Sequence, residues 1–328
     1  MGKLKMAIYW AAACGGCDIA IVEIGAHLLE LDAAAQIVLW PAAMDFKYNE
    51  VEALPDGDID LCLYNGAVRT SEQEHIAKLL RRKSKVMVAF GSCAHEGCIP
   101  GLANLKERGD IMRRAYVETP STANPDGIMP QTLTRVPEGE VPLPAFWDRV
   151  DTLAQTVPVD YFVPGCPPSS HQVWKVLQAV IAGQLPQRGS VVGVYPKTVC
   201  DQCGRVRLGT KVKHFYRPHE IIPDPERCFL EQGLICAGPA TRAGCNEEGK
   251  QPLCIAANMP CRGCYGPPDG VPDQGAKLLS AIASIVEGEN EQDVQTILRE
   301  IVDPVGTFYR FSLSDSLLRQ VMEEGKRE

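Results

Sequence analysis

Eight cysteines fall between residues 200 and 264, at Cys200, Cys203, Cys228, Cys236, Cys245, Cys254, Cys261 and Cys264. The segments between them are short, rich in Gly, Pro and Arg, and carry little helical or strand period. Such a stretch is expected to be held by something other than a hydrocarbon core, and bound metal does that. The chain has fourteen cysteines in all. Its start, MGKLKMAIYW, runs straight into a strand with no signal-peptide pattern, so the expected location is the cytoplasm. Thiols stay reduced there, which disfavours a disulfide framework. No apolar run approaches the eighteen or so residues that cross a bilayer, so no membrane span is expected. A net charge of -8 argues against a nucleic-acid groove.

The first half of the chain has a different texture. KMAIYWAA, AQIVLWPA, IDLCLYNGAV, KVMVAFGSC and VDYFVPG read as strands, with helical patterns between them. That alternation predicts an α/β fold with a doubly wound parallel sheet. At 328 residues, 45% of them hydrophobic, the chain divides most simply into residues 1–187 and 188–328. The helix after Cys17 is expected to be capped by Asp18 and largely buried, with Glu23, His27 and Glu30 as a narrow polar stripe. Ser71 and Glu74 suggest a capping box. Residues 118–144 read as a long surface excursion, AFWDRVDTLAQ and HQVWKVLQAVIAGQL as helices, and AKLLSAIASIVEG and EQDVQTILREIV as a helical tail.

In a parallel sheet the strand carboxyl ends open on one edge, where ligands bind. Cys14 and Cys17 follow the first strand, Cys93 ends the fourth and Cys166 follows the fifth, so four thiols from three loops can meet there, as a cubane cluster requires. Gly15, Gly16, Gly91 and Gly165 would let backbone approach a bulky inorganic core. A thioredoxin-like pair explains CGGC but leaves Cys93 and Cys166 without a role. Zinc takes four thiolates too, although usually from short knuckles. The eight later cysteines make two more four-cysteine sets. Their spacing speaks for metal without choosing between zinc and iron, and three sets in one chain favour an electron wire over structural staples.

CGGCDIAIVEI, GSCA followed by GCIPGLANL, FVPGCPP, ERCFLEQGLICAGPATRAGC and MPCRGCYGP closely resemble the electron-transferring small subunit of NiFe-hydrogenases, over nearly the whole chain. Within that family the chain looks most like the small subunit of the cytoplasmic methyl-viologen-reducing hydrogenases associated with heterodisulfide reductase. The resemblance implies a flavodoxin-like sheet domain followed by an irregular, cluster-stabilised C-terminal domain with a few helices. It implies three 4Fe-4S clusters: a proximal one on Cys14, Cys17, Cys93 and Cys166, a medial one on Cys245, Cys254, Cys261 and Cys264, and a distal one on Cys200, Cys203, Cys228 and Cys236. The NiFe centre would belong to a partner large subunit, and electrons would leave for a small iron-sulfur acceptor subunit. No residue of this chain is expected to act as acid, base or nucleophile.

Exported relatives often carry His where Cys200 stands, Pro near Cys254, and a twin-arginine signal; this chain departs from them at each point. It also has Cys98 where relatives often have Gly. Cys98 is expected to be a small buried thiol and not a ligand, and Cys62 a core residue. His95 and His171 are expected beside the ligands and not among them. The run from Arg205 to Arg217 carries Arg205, Arg207, Lys211, Lys213 and Arg217 with no carboxylate, a candidate stripe for an acidic partner or a solvated loop. Two other readings remain: a quinone-oxidoreductase-type subunit, which needs only the first cluster, and a zinc-stabilised binding module.

Overall fold

A computed structural model of the chain describes residues 2–288 and 290–319. The strands of the first half are, in chain order, β1 (Leu4–Trp10), β2 (Ala35–Leu39), β3 (Ile59–Asn65), β4 (Val68–Thr70) and β5 (Ser84–Phe90), then β6 (Leu133–Val136), β7 (Gly139–Pro142), β8 (Phe146–Asp151) and β9 (Tyr161–Val163). Successive residues of a strand face opposite sides. Met6 and Ile8 therefore join Leu61, Leu63, Val88 and Phe90 in one apolar layer, and Ala7 and Tyr9 join Cys62, Tyr64, Met87 and Ala89 in the other. A sheet covered on both faces is the form that parallel strands need. The order is β2-β1-β3-β5-β9, every pair parallel, which is the flavodoxin-like doubly wound arrangement. Helix Ser170–Ile181 packs on the first layer through Val173, Val176 and Leu177. Helix Ser71–Lys83 covers the second through Ile76, Leu79 and Leu80.

Several local expectations need correction. Asp18 does not cap a helix. The helix Gly16–Val22 is entered through Gly15 in the left-handed region, and Asp18 is buried inside it, accepting hydrogen bonds from Trp40 Nε1 (2.8 Å) and Asn65 Nδ2 (2.9 Å). The segment is also two helices, with Gly25 at φ 64° before His27–Ala34. Ala20, Ile21, Ile24 and Leu31 are buried against the sheet as expected, but Ile19, Val22 and Leu29 are exposed, so the burial is one-sided. The capping box lies one residue earlier, on Thr70 and Gln73, because Ser71 is already helical. FWDRVD is strand β8, paired antiparallel with β4, and only Leu153–Gln155 makes a 3₁₀ turn. Aromatic and β-branched residues fit that pairing better than a helix. The surface excursion carries a hairpin, β6 with β7.

After residue 188 regular structure is sparse: β10 (Tyr195–Thr198) pairs with β11 (Arg242–Ala243), and helices Gln274–Ala283 and Glu291–Arg299 come late. This half nevertheless has an apolar core, contrary to expectation. Val199, Phe215, Phe229, Leu230 and Leu234 pack with Leu278, Ile282, Ile297 and Ile301, and with Cys236 and Cys261. Half of these side chains come from irregular loops, so no period announces them. No helix of the described residues is long and apolar enough to cross a membrane.

Candidate metal centres

The strand order brings four cysteines to the carboxyl edge of the sheet. Cys14 follows β1, Cys17 lies in the next helical turn, Cys93 is the second residue of helix Ser92–Glu96 after β5, and Cys166 follows β9. Cys17 and Cys93 are buried; Cys14 and Cys166 are exposed. Burial pushes the Cys17 thiol up, and Cys93, Cys166, Asp18 and Cys14 crowd it in the same direction. Gly91, at φ 84°, is the glycine this centre requires: a Cβ there would collide with the Cys17 sulfur. Gly16 also lies beside a sulfur, with room for a Cβ 3.4 Å from Cys14 Sγ. Gly15 and Gly165 serve the backbone instead, the first packed against the Trp10 ring and the second against Pro168.

The eight later cysteines sort into two groups. Burial pushes Cys200 up to about 12, with Cys236, Cys228 and Cys203 adding to it and Arg207 opposing. These four sulfurs line one cavity, together with Val199, Phe229 and Ile255. Cys264 is likewise pushed up to about 12, by burial first and then by Cys254 and Cys245. Cys261 is pushed up by burial, by Cys236 and by Cys264. The groups touch in series. The Cys261 N–H donates to Cys236 Sγ at 3.2 Å, and Ser92 Oγ, next to Cys93, donates to the Cys264 carbonyl at 2.5 Å.

The donor set suits iron-sulfur clusters: thiolates in fours, glycine cradles at Gly91 and Gly16, and one cavity ringed by sulfur. Among the described residues no three His, Cys, Asp or Glu side chains converge closely enough for a single metal ion. Zinc would need four sulfurs about 2.3 Å from one point, whereas a cubane spreads its ligands over four irons.

Cys98 is fully buried, as expected, and packs with Cys93 and Phe311. The neighbouring Cys98 holds Cys166 down at about 7 against the opposing effect of burial. Cys62 is core. His95 is buried against Phe162, with ring centroids 4.7 Å apart, and burial pushes it down to about 3. Burial pushes the His171 pKa down.

The basic run is not a uniform stripe. Arg205 is part of the fold, donating to the Asp224 carbonyl (2.6 Å) and the Arg227 carbonyl (2.8 Å) and stacking 3.7 Å over Phe229. Lys211 reaches the Ser284 carbonyl and Lys213 pairs with Glu287. Sequence reasoning missed the residues that join the two halves. Ser92 Oγ donates to the Cys264 carbonyl (2.5 Å) and accepts from the Gly165 N–H (3.0 Å). The Tyr265 hydroxyl donates to Gln172 Oε1 (2.7 Å) and accepts from the Ser169 N–H (3.1 Å). Each lies next to a cysteine, and adjacency is the only signal the sequence offered.

Known proteins resemble this chain in sequence and fold. Residues 14–180 match the family model described as NADH ubiquinone oxidoreductase, 20 Kd subunit. The chain is 41% identical to the iron-sulfur subunit of the F420-non-reducing hydrogenase of Archaeoglobus profundus, over 97% of this chain and 98% of that one. It is 34% identical to a subunit of the F420-non-reducing hydrogenase of Methanothermobacter marburgensis, over 99% of each. Among solved structures, a chain of the recombinant [NiFeSe] hydrogenase from Desulfovibrio vulgaris Hildenborough shares the fold, with a TM-score of 0.51 at 15% identity over 82% of this chain and 96% of that one. Matched nearly end to end by these relatives, the chain belongs to the family of iron-sulfur small subunits of the F420-non-reducing, methyl-viologen-reducing hydrogenases.

Proposed function

We propose that this chain is the electron-transferring subunit of a NiFe-hydrogenase and holds three 4Fe-4S clusters in series. Cys14, Cys17, Cys93 and Cys166 would ligate the proximal cluster, Cys245, Cys254, Cys261 and Cys264 the medial one, and Cys200, Cys203, Cys228 and Cys236 the distal one. Residues 1–187 and 188–328 would form two units, with the proximal site in the first and the other two in the second. One observation carries the reading: the cysteine groups follow one another in a single line, Ser92, next to Cys93, meeting the Cys264 carbonyl through its hydroxyl and Cys261 meeting Cys236 through its N–H. Bound there, the clusters supply one-electron carriers. The protein supplies thiolates, spacing, and main-chain N–H donors aimed at sulfur.

The NiFe centre would belong to a large subunit docked on the sheet edge, where Cys14 and Cys166 are exposed beside the uncovered apolar side chains Ile19 and Val22. An apolar, permanent interface fits that surface. The acceptor would be a small iron-sulfur subunit linked to heterodisulfide reductase, approaching near Cys200 and Cys203; Arg207, unlike Arg205, is exposed there to meet it.

Anaerobic purification of the intact complex, with iron, acid-labile sulfide and every copurifying subunit identified, tests this. About twelve irons per chain are expected. About four would favour the quinone-oxidoreductase reading, and none with bound zinc the structural module.

A further inference from the structure

In the second half of the chain a cavity of about 220 Å³ opens between residues 215–218, helix Gln274–Ala283 and residues 300–310. Its floor is apolar, formed by the buried side chains of Phe215, Leu278 and Ile301. Three arginines line it, Arg217, Arg262 and Arg310. The two carboxylates in its wall are engaged by the fold. Glu300 Oε2 accepts from the Phe215 N–H at 2.6 Å and its Oε1 meets His214 Nδ1 at 2.5 Å. Asp303 Oδ1 accepts from the Gly306 N–H at 2.9 Å and caps helix Pro304–Phe308. The arginines are not engaged in this way. Arg217 and Arg262 are exposed, and among the described residues neither side chain makes a hydrogen bond or an ion pair. Arg310 is half-buried, with Nε donating to the Gly306 carbonyl at 3.0 Å, so its position is fixed while its two Nη groups have no partner among the described residues. Burial and the like charge of Arg262 both push the Arg310 pKa down, with Asp303 opposing. Three cations thus share a small space that lacks an anion to receive them.

We propose that this cavity is a binding site for a small organic oxyanion, a carboxylate or phosphate carried on a short apolar body. A guanidinium presents paired N–H donors that match either group bidentately, and its weak hydration lowers the cost of burying the pair. Mostly apolar walls with a few convergent polar groups are the usual make-up of a small-molecule site. The volume limits the occupant, since it falls below the roughly 300 Å³ at which sites for drug-sized ligands begin. The same wall reaches the proposed redox centres. Ile235 and Ala237 line this cavity, while Cys236 between them lines the cavity that holds Cys200, Cys203 and Cys228. Cys261 lines the arginine cavity too, and its N–H donates to Cys236 Sγ at 3.2 Å. A bound anion therefore lies one thickness of backbone away from ligands of the distal and medial centres, and its charge opposes the arrival of an electron there. This electrostatic link rests on the cluster assignment proposed above; the binding itself does not.

The test uses the intact complex, purified anaerobically, and three probes: phenyl phosphate, phenylacetate and inorganic phosphate. Isothermal titration calorimetry should show saturable binding of phenyl phosphate or phenylacetate; binding of either supports the site, and the tighter of the two gives the head group. Inorganic phosphate, which lacks the apolar body, should bind about tenfold more weakly. Arg310→Gln and Arg217→Gln should each weaken binding by about tenfold, whereas Lys211→Gln, outside the cavity, should leave it unchanged. Each variant should keep the parent's iron content. In a redox titration, the better probe, at a concentration that fills only the parent, should move the medial or distal midpoint to a more negative potential in the parent and not in Arg310→Gln. No saturable binding to the parent would overturn the site, and is the result expected if a carboxylate of a partner subunit already fills it. Equal affinity in the parent and both arginine variants would overturn it as well. Binding with unmoved midpoints would overturn the electrostatic link. A parent complex without iron would overturn the cluster assignment, a result that the calorimetry separates from failure of the site.

Discussion

Glu96 closes helix Ser92–Glu96 at the contact between the two halves of the chain, with 2% of its surface exposed. Neither carboxylate oxygen has a hydrogen-bond partner among the described residues, and Oε1 occupies the space that a Cβ on Gly266 would need. Burial pushes its pKa up to about 8, with Asp315 adding to the shift and Arg242 opposing it. His95 lies nearby, its Nδ1 3.9 Å from Oε1. In the unfolded chain the carboxyl titrates near its ordinary 4.5. The folded pKa is the higher one, so the stability linked to this group is complete below 4.5 and drains away as pH rises to about 8. Each pH unit in that interval removes about 1.4 kcal/mol. Glu96→Gln keeps the shape and never ionises. Its stability relative to the parent should therefore grow by about 3 kcal/mol between pH 5.5 and 8 and then level off. His95, pushed down by burial, makes stability fall on the acid side instead, but it is present in both proteins and drops out of the difference. Anaerobic thermal scans of the intact complex at one scan rate, at pH 5.5, 7, 8 and 9, read the gap directly, as several degrees of widening. A gap that stays constant with pH would refute the reasoning, because it would mean that Glu96 is solvated or already ionised in the folded protein.

Gly91→Ala should remove the proximal site alone: the new methyl group meets the Cys17 sulfur, at a φ that alanine resists. Iron should fall by about a third, to about eight per chain, and an unchanged count would refute the placement of Cys17 at that centre. Cys254→Pro should convert the medial cluster to a 3Fe-4S form. Cys254 is the second residue of the short helix Leu253–Ala256, where proline is tolerated, so the fold should survive the loss of the thiolate. A new 3Fe-4S signal in the oxidised variant, absent from the parent, is the expected result; the same signal at full intensity in the parent would remove Cys254 from the ligand set.

Apolar runs such as Met6–Tyr9 and Leu61–Tyr64, alternating with helical patterns, were enough to read a doubly wound parallel sheet. With that sheet came the convergence of Cys14, Cys17, Cys93 and Cys166, because strand ends share an edge in any such fold. These features are legible because an apolar run of strand length is a local signal. The sorting of the eight later cysteines came from a family resemblance, since their spacing alone allows several partitions. Residues 146–151 became a strand because β4 offers it a partner, a long-range pairing that overrides local preference. The apolar core around Phe229 and Leu278 went unread because its loop residues have no period, although they meet in space. Only the tertiary structure brought Cys98 against Cys93, buried Glu96 against Gly266, and linked Ser92 to the Cys264 carbonyl through a hydroxyl donor. The sequence by itself determined which elements form and where sulfur is concentrated. Which sulfur meets which was decided by loop closure across the chain, because a contact between residues far apart in sequence depends on every element that positions them.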